Sequence, residues 1–224
     1  SMRLGQTDDG TLPESLTQRR AYDLITEGFG AGANGPLFLA VALPQPGDMT
    51  PVDAIEQAAS KVPGVQVAPA QMSPDGSAAL VVVIPPGAPQ SEQTENLVNS
   101  LRTDVLPPAV QGTGATVFVG GQTAGFVDLG ERIQSRLPLF IGAVVGLSFI
   151  LLMMVFRSIL VPLKAAIMNI LSIAAAYGVI VAIFQWGWLK GLVGLDETVP
   201  IVSFVPMIMF AILFGLSMDY EVFL

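Results

Sequence analysis

A carboxylic acid and a phenol stand side by side in an apolar part of the chain, at Asp219 and Tyr220. No charged residue occurs between residues 198 and 218, and residues 222–224 are again apolar. An ionised carboxylate inside membrane hydrocarbon costs at least about 2.5 to 3.5 kcal/mol, and such acids usually face a bundle interior or a water-filled cavity. Because low dielectric favours the protonated form of a carboxyl group, we predict that Asp219 binds and releases protons.

Small residues precede this acid at helical spacing. Ala211 and Gly215 come eight and four positions before Asp219, so in a helix the three share one face. Small side chains let a neighbouring helix approach closely. Tyr220 lies about 100° round and can donate a hydrogen bond to a carboxylate on that neighbour, whereas Glu221 points elsewhere. We predict a proton relay at Asp219 and Tyr220, with Ala211 and Gly215 packing around it.

A second interpretation makes the same acid the hydrated end of a membrane anchor. If the helix enters the membrane at Pro200, about 20 residues bring it out near Asp219. The residues that follow are apolar, and no Lys or Arg marks a cytoplasmic boundary there. We favour the buried acid, and the anchor stays open as the alternative.

Composition removes several other kinds of site. The 224 residues include no cysteine and no histidine, which excludes disulfides, thiolate metal sites and the usual zinc and triad chemistry. The glycine-rich "QGTGATVFVGG" lacks the Gly-Lys-Ser/Thr ending of a phosphate-binding loop and precedes a strand. Residues 1–136 carry 14 acidic and 7 basic side chains, which argues against nucleic acid as a partner. We therefore expect that the chain binds no metal and no cofactor and that it is not an enzyme.

Three long apolar segments place the rest of the chain in a membrane. Hydrophobic residues make up 52% of the sequence and charged residues only 12%, a balance too apolar for an ordinary soluble domain. We predict spans at about 137–156, 160–185 and 200–224, the last truncated, because about 20 apolar residues cross the hydrocarbon. Polar groups inside the second span, at Asn169, Ser172 and Tyr177, are expected to find partners within the bundle.

The loops between the spans predict the orientation of the chain. The turn at residues 157–164 carries two cations and no anion, whereas residues 185–198 carry one cation, two anions, Trp186 and Trp188. Cytoplasmic loops collect Lys and Arg, and tryptophan favours the interface. The 157–164 turn is therefore predicted to be cytoplasmic, with residues 1–136 on the outer side.

Residues 1–136 are predicted to form an α+β domain. Their pattern is strand, helix, two strands joined at the turn "PDG", helix and strand, which is the split βαβ (ferredoxin-like) order. Ser15 and Thr50 are predicted to cap the helices that follow them, and Ser91 lies near the start of a third. A further helix, "QTAGFVDLGERIQSR", is expected to run unbroken into the first span. The fold class is thus an α+β domain, 1–136, followed by an all-α transmembrane bundle, 137–224.

Three stretches resemble the MMPL (mycobacterial membrane protein large) transporters of the resistance-nodulation-division superfamily. They are "GLSMDYEVFL", "FRSILVPLKAAIMNILSIAAAYG" and "DDGTLPESLTQRRAYDLITEGFGAGANGPL". The resemblance implies that residues 1–136 are the first extracytoplasmic porter domain and that the spans are the second, third and fourth helices. It also implies that Asp219 and Tyr220 are the Asp-Tyr pair that faces an equivalent pair on the tenth helix and relays protons.

The chain departs from the family pattern at both ends. The first transmembrane helix is missing and the chain stops inside the fourth, so we expect a fragment whose partner is the second repeat of the same transporter. The resemblance implies a proton-driven exporter of lipids or other hydrophobic molecules in the bacterial cytoplasmic membrane. Two alternatives stay open: a membrane-anchored extracytoplasmic binding domain without transport, and a proton-driven protein-secretion component or sterol-sensing relative of the same superfamily.

Overall fold

The computed structural model describes residues 4–188 and 200–223, and it describes side chains in the second range as far as Met218. The chain divides into two compact units. One is Thr7–Asp128. The other joins the described residues before Thr7 to those from Leu129 onward.

The described strands are short in both units, and the longest described helices lie mainly in the second unit. The strands are β1 (Leu4–Gly5), β2 (Leu37–Ala42), β3 (Gln66–Val67), β4 (Gln71–Met72), β5 (Ala78–Ile84), β6 (Thr116–Gly120) and β7 (Ile201–Val202). The helices are α1 (Thr17–Phe29), α2 (Thr50–Ser60), α3 (Glu92–Ser100), α4 (Leu106–Val110), α5 (Gln122–Phe156), α6 (Leu160–Phe184) and α7 (Val205–Phe223). A π-helical turn, Leu101–Val105, joins α3 to α4.

The sheet of the Thr7–Asp128 unit is antiparallel and has the order β3-β5-β2-β6, with β4 also paired to β5. In the central strand β2, Leu37, Leu39 and Val41 are buried and alternate with exposed residues, because successive side chains of a strand point to opposite faces. The buried face packs on apolar residues of α2, α3, α4 and the π-helical turn. Phe38 and Phe118 lie on the other face and are exposed.

Both predicted helix caps are wrong. α1 begins at Thr17 with Leu16 in the capping position, and no side chain caps it, so Ser15 lies one residue too early. Thr50 is the first residue of α2, and its N–H donates to the Asp48 carboxylate at 3.0 Å. Ser91, expected near the start of a helix, lies in the capping position of α3, and its hydroxyl accepts the Thr94 N–H at 3.2 Å.

The predicted hairpin at "PDG" forms, but its first strand is broken into β3 and β4. Pro69 lies in the break and has no N–H to pair with β5. The neighbouring Ala70 N–H donates to the Glu56 carboxylate of α2 at 2.6 Å instead. A side chain of the covering helix thus satisfies the backbone where the strand is interrupted.

In the second unit, α5 and α6 are long and apolar enough to cross a membrane, and the described apolar part of α7 is shorter, Val205–Met218. α5 is unbroken, as predicted, although it contains Pro138. Sequence reasoning missed the parallel pair of β1 with β7, in which Leu4 lies opposite Ile201. Most of the loop predicted on the outer side falls outside the described residues; Trp186 and Trp188, with rings 5.7 Å apart, are described.

Candidate functional site

α7 packs on its neighbours through an aromatic face. Phe210 and Phe214 are buried, and their rings stack with centroids 5.3 Å apart. Phe140 of α5 meets the Phe210 ring edge-on at 5.5 Å, and Ile173 of α6 belongs to the same cluster. The four-residue step between Phe210 and Phe214 keeps both rings on one side of α7. That side of α7 therefore faces α5 and α6.

Two hydrogen bonds join α6 to α7 at points far apart along the helices. The Tyr177 hydroxyl donates to the Pro206 carbonyl at 2.6 Å, in the first turn of α7. The Ser217 hydroxyl, three turns further on, donates to the side-chain oxygen of Asn169. Only 2% of Asn169 is exposed. The expectation of partners within the bundle is thus met for Asn169 and Tyr177, whereas Ser172 lies on the exposed surface of α6.

Sequence reasoning missed Ser217 as a hydrogen-bond partner between α6 and α7, although the signal was present. Ser217 follows Phe210 by seven residues and Phe214 by three, which is the spacing of one helix face. A serine in line with two large aromatic residues faces the packing surface. The buried Asn169 of the preceding span is the natural partner for that hydroxyl.

A small cavity lies beside this polar contact. Its volume is about 10 Å³, and Ser148, Asn169 and Met218 are among its lining residues. A space of this size holds about one water molecule when polar partners are at hand. Ser148 and Asn169 supply such partners from α5 and α6.

The predicted packing residues lie on a different side of α7. Ala211 and Gly215 are exposed, and a Cβ added at Gly215 would meet no atom within 4 Å. The side chains of Asp219 and Tyr220 lie outside the described residues, although α7 itself runs on to Phe223. The structure therefore leaves the relay and its packing face as predictions, and it places Ala211 and Gly215 away from the aromatic face.

A groove of about 630 Å³ lies in the Thr7–Asp128 unit. It runs beside β6 and is lined largely by apolar residues, including Leu106 and Phe118. Arg102 and Asp128 form an ion pair in its lining, and Arg102 also donates to the Val119 carbonyl at 2.9 Å. The arginine thereby occupies one carbonyl of the edge strand.

Two carboxyl groups of the Thr7–Asp128 unit have pKa values that are shifted in opposite directions. Burial raises the pKa of Asp8, although hydrogen bonds from Tyr22 and the Gly10 N–H oppose the shift. Hydrogen bonds from Ser73 and Ser77 lower the pKa of Asp75 to about 2. Within the described residues, no cluster of three or more acidic side chains could hold a metal ion.

The chain is similar to large bacterial membrane proteins over most of its length. The MMPL family profile matches residues 45–224. "Membrane protein YdfJ" of Bacillus subtilis is 36% identical over 227 residues, which cover 100% of this chain and 30% of that protein. "Mycolic acid-containing lipids exporter MmpL11" of Mycolicibacterium smegmatis is 35% identical over 231 residues, 100% of this chain and 24% of the exporter.

A further relative carries a different functional name. "Heme uptake protein MmpL11" of Mycobacterium tuberculosis is 36% identical over 204 residues, 88% of this chain and 21% of that protein. The chain thus spans less than a third of the length of each of these relatives. Because the family profile covers well over half of the sequence, the chain belongs to the MMPL family.

Proposed function

We propose that this chain is part of a proton-motive-force-driven transporter that exports lipids or other hydrophobic molecules across a bacterial cytoplasmic membrane. In this proposal Asp219 takes up and releases the proton, and Tyr220 donates a hydrogen bond to an acid on a facing helix. The remainder of the transporter chain supplies that helix, in a second repeat with its own Asp-Tyr pair. In this proposal Asp219 and Tyr220 act on protons alone, without a cofactor and without converting a substrate.

The observation that carries the proposal is the two-sided character of α7. Phe210 and Phe214 are buried against α5 and α6, whereas Ala211 and Gly215 are exposed. Position 219 continues the row of these two small residues by helical spacing. A row of small residues favours close approach of another membrane helix, so the expected site of the carboxylate is the side of α7 on which further helices can pack.

We assign residues 1–136, which contain the Thr7–Asp128 unit, to an extracytoplasmic porter domain with the split βαβ, ferredoxin-like fold. The antiparallel order β3-β5-β2-β6 supports this assignment, because that fold places the first and third strands in the centre and the second and fourth at the edges. The pair of cations at Arg157 and Lys164 supports a cytoplasmic position for the turn between α5 and α6.

Replacement of Asp219 by asparagine in the full-length protein tests the proposal. Asparagine keeps the size and polarity of the side chain but cannot carry a proton, so we expect loss of export with insertion and abundance unchanged. The measurement uses proteoliposomes with an imposed pH gradient, a fluorescent phosphatidylethanolamine as the transported probe, and a trapped pH-sensitive dye for proton flux.

Glu221→Gln is the matched control, because it makes the same change two positions further along the helix, about 200° round. We expect this variant to retain export. Normal export by Asp219→Asn would remove the proton relay, and a wild-type protein that moves none of the labelled lipid would remove lipid export.

A membrane-anchored binding domain is the second candidate, and the groove beside β6 favours it. A groove of about 630 Å³ falls within the size range of small-molecule sites, and Phe118 in its lining is exposed. If the helices served only as an anchor, Asp219→Asn would leave function unchanged. The Asp219→Asn experiment therefore separates the two candidates.

A further inference from the structure

We infer that Asn169 is a positioning residue: its hydrogen bond with Ser217 sets the rotation of α7 about its axis and thereby the placement of the residue at position 219. This inference rests on the proposed function, in which Asp219 carries the proton. The supporting contact is the hydrogen bond between the side chains of Asn169 on α6 and Ser217 on α7, both in the unit that contains Leu129 onward. Ser217 precedes Asp219 by two residues.

The apolar part of the interface specifies the rotation of α7 only loosely. Phe210 and Phe214 are held by ring contacts with centroids more than 5 Å apart. Aromatic pairs prefer edge-on or offset-stacked geometry, but they accept centroid distances anywhere from about 4.5 to 7 Å. Aromatic packing therefore holds α7 against α5 and α6 but allows it to turn or slide by small amounts.

A buried hydrogen bond is far more selective. Asn169 is 2% exposed and lies in an apolar helix, so a turn of α7 that removed Ser217 would leave a polar group without this partner in a medium that offers few others. A single buried asparagine sets the register of coiled coils for the same reason. Asn169 therefore penalises rotation of α7 near Ser217.

The location of this contact makes it relevant to the relay. Ser217 lies about 3 Å along the helix axis from position 219, whereas Pro206, which accepts from Tyr177, lies roughly 20 Å away. A rotation of α7 by about 20° moves a group about 5 Å from the axis by roughly 2 Å. Proton transfer requires a hydrogen-bond distance of about 2.6 to 3.2 Å, so a rotation of this size is enough to break a relay.

Tyr177 supplies the control, because its hydroxyl also makes a hydrogen bond between α6 and α7 but does so far from position 219. Tyr177→Phe removes one hydrogen bond between α6 and α7, the bond to Pro206, just as Ser217→Ala removes the bond to Asn169. The two variants should therefore lose similar amounts of thermal stability. They should differ in export, because only the Asn169 contact lies beside the relay.

The experiment measures export and proton flux in proteoliposomes of the full-length protein, with fluorescent phosphatidylethanolamine as the probe. A displacement of about 1 Å can cost roughly a hundredfold in the rate of a step that depends on geometry. We expect Asn169→Leu and Ser217→Ala each to lower the maximal rate at least about tenfold, with the half-saturating lipid concentration unchanged. Tyr177→Phe should lower the rate less than about twofold. The double variant should be no slower than Asn169→Leu alone, because that single change already removes the hydrogen bond that Ser217→Ala removes.

Two results would overturn the inference. One is an equal effect of Ser217→Ala and Tyr177→Phe on the maximal rate at equal melting temperature. The other is a double variant whose loss is the product of the two single losses, which would mean that the residues act separately. The Asp219→Asn variant tests the proposed function separately. Normal export by that variant would rule out the relay, whatever the result for Asn169.

Discussion

At the scale of single residues, the turn between β4 and β5 shows how hydrogen bonds to one carboxylate stabilise a hairpin. Asp75 accepts from the Ser73 hydroxyl at 2.6 Å and from the Ser77 N–H at 3.1 Å. These bonds favour the ionised form, and Ser73 is the largest cause of the lowering of the Asp75 pKa from 3.8 to about 2. Asp75 therefore stabilises the turn through its negative charge.

This shift predicts a pH dependence of stability with a definite sign. Because the pKa of Asp75 is lower in the folded chain, its contribution is fully present above about pH 4 and is lost as the pH falls towards 2. We expect Asp75→Ala to melt below wild type at pH 6 and to approach it at pH 2. Thermal unfolding in detergent at a series of pH values measures the difference.

Ser73→Ala tests the cause of the same effect. It removes the hydroxyl that contributes most to the shift, so the difference between wild type and this variant should follow the same pH course with a smaller amplitude. A constant offset between wild type and Asp75→Ala at every pH would show that the side chain acts through packing and not through its charge.

At the scale of elements, two nearby glycines of the α1 region predict opposite effects of one substitution. A Cβ on Gly32 would lie 1.7 Å from the Pro85 carbonyl oxygen, whereas a Cβ on Gly28 would meet no atom within 4 Å. We expect Gly32→Ala to destabilise the chain by about 1 to 3 kcal/mol. Gly28→Ala, inside α1, should stabilise it by up to about 1 kcal/mol.

The measurement is the melting temperature of each variant in the same detergent, with far-ultraviolet circular dichroism to confirm that the helices are retained. The pair controls for the added methyl group, because both changes are glycine to alanine and the positions are four residues apart. Equal melting temperatures for the two variants would contradict the close contact between Gly32 and Pro85.

The elements that could be predicted from the sequence are those with a clear apolar run or a clear helical segment. The strand β2, the helix α3 and the continuous helix α5 were all predicted. The pair of β1 with β7 could not be, because strands of two residues carry no period and the Ser203 side chain meets the Gly5 carbonyl 198 positions away. Contacts that close so long a loop depend on tertiary packing.

The candidate site likewise has a part that the sequence predicts and a part that depends on tertiary packing. The apolar runs and the isolated acid at position 219 are local signals, and the need of Asn169 and Tyr177 for partners follows from their apolar surroundings. The identity of those partners, Ser217 and Pro206, depends on which faces of α6 and α7 meet. Helical spacing restricts the possible partners, but the crossing of the two helices decides among them.

At the scale of the whole molecule, the family membership, the long apolar helices α5 and α6 and the acidic first half together predict that the chain lies on both sides of a membrane. The turn after α5 carries Arg157 and Lys164 and no acid, and residues 1–136 are predicted on the opposite side. Because the chain contains no cysteine, single cysteines placed in it can be labelled one at a time.

Gln111→Cys and Ser158→Cys place the reporter at the end of α4 and in the turn between α5 and α6, and both replace a small or exposed polar residue. In intact cells that make the full-length protein without other reactive cysteines, a membrane-impermeant maleimide should label Gln111→Cys and leave Ser158→Cys unlabelled until the cells are opened. The expectation follows from the cations of the turn, which favour the cytoplasmic side. Labelling of Ser158→Cys in intact cells, with Gln111→Cys protected, would show that the topology is the reverse of the predicted one. The proposed relay would then lie in a helix entering from the cytoplasmic side, and the Thr7–Asp128 unit could not act as an extracytoplasmic porter domain.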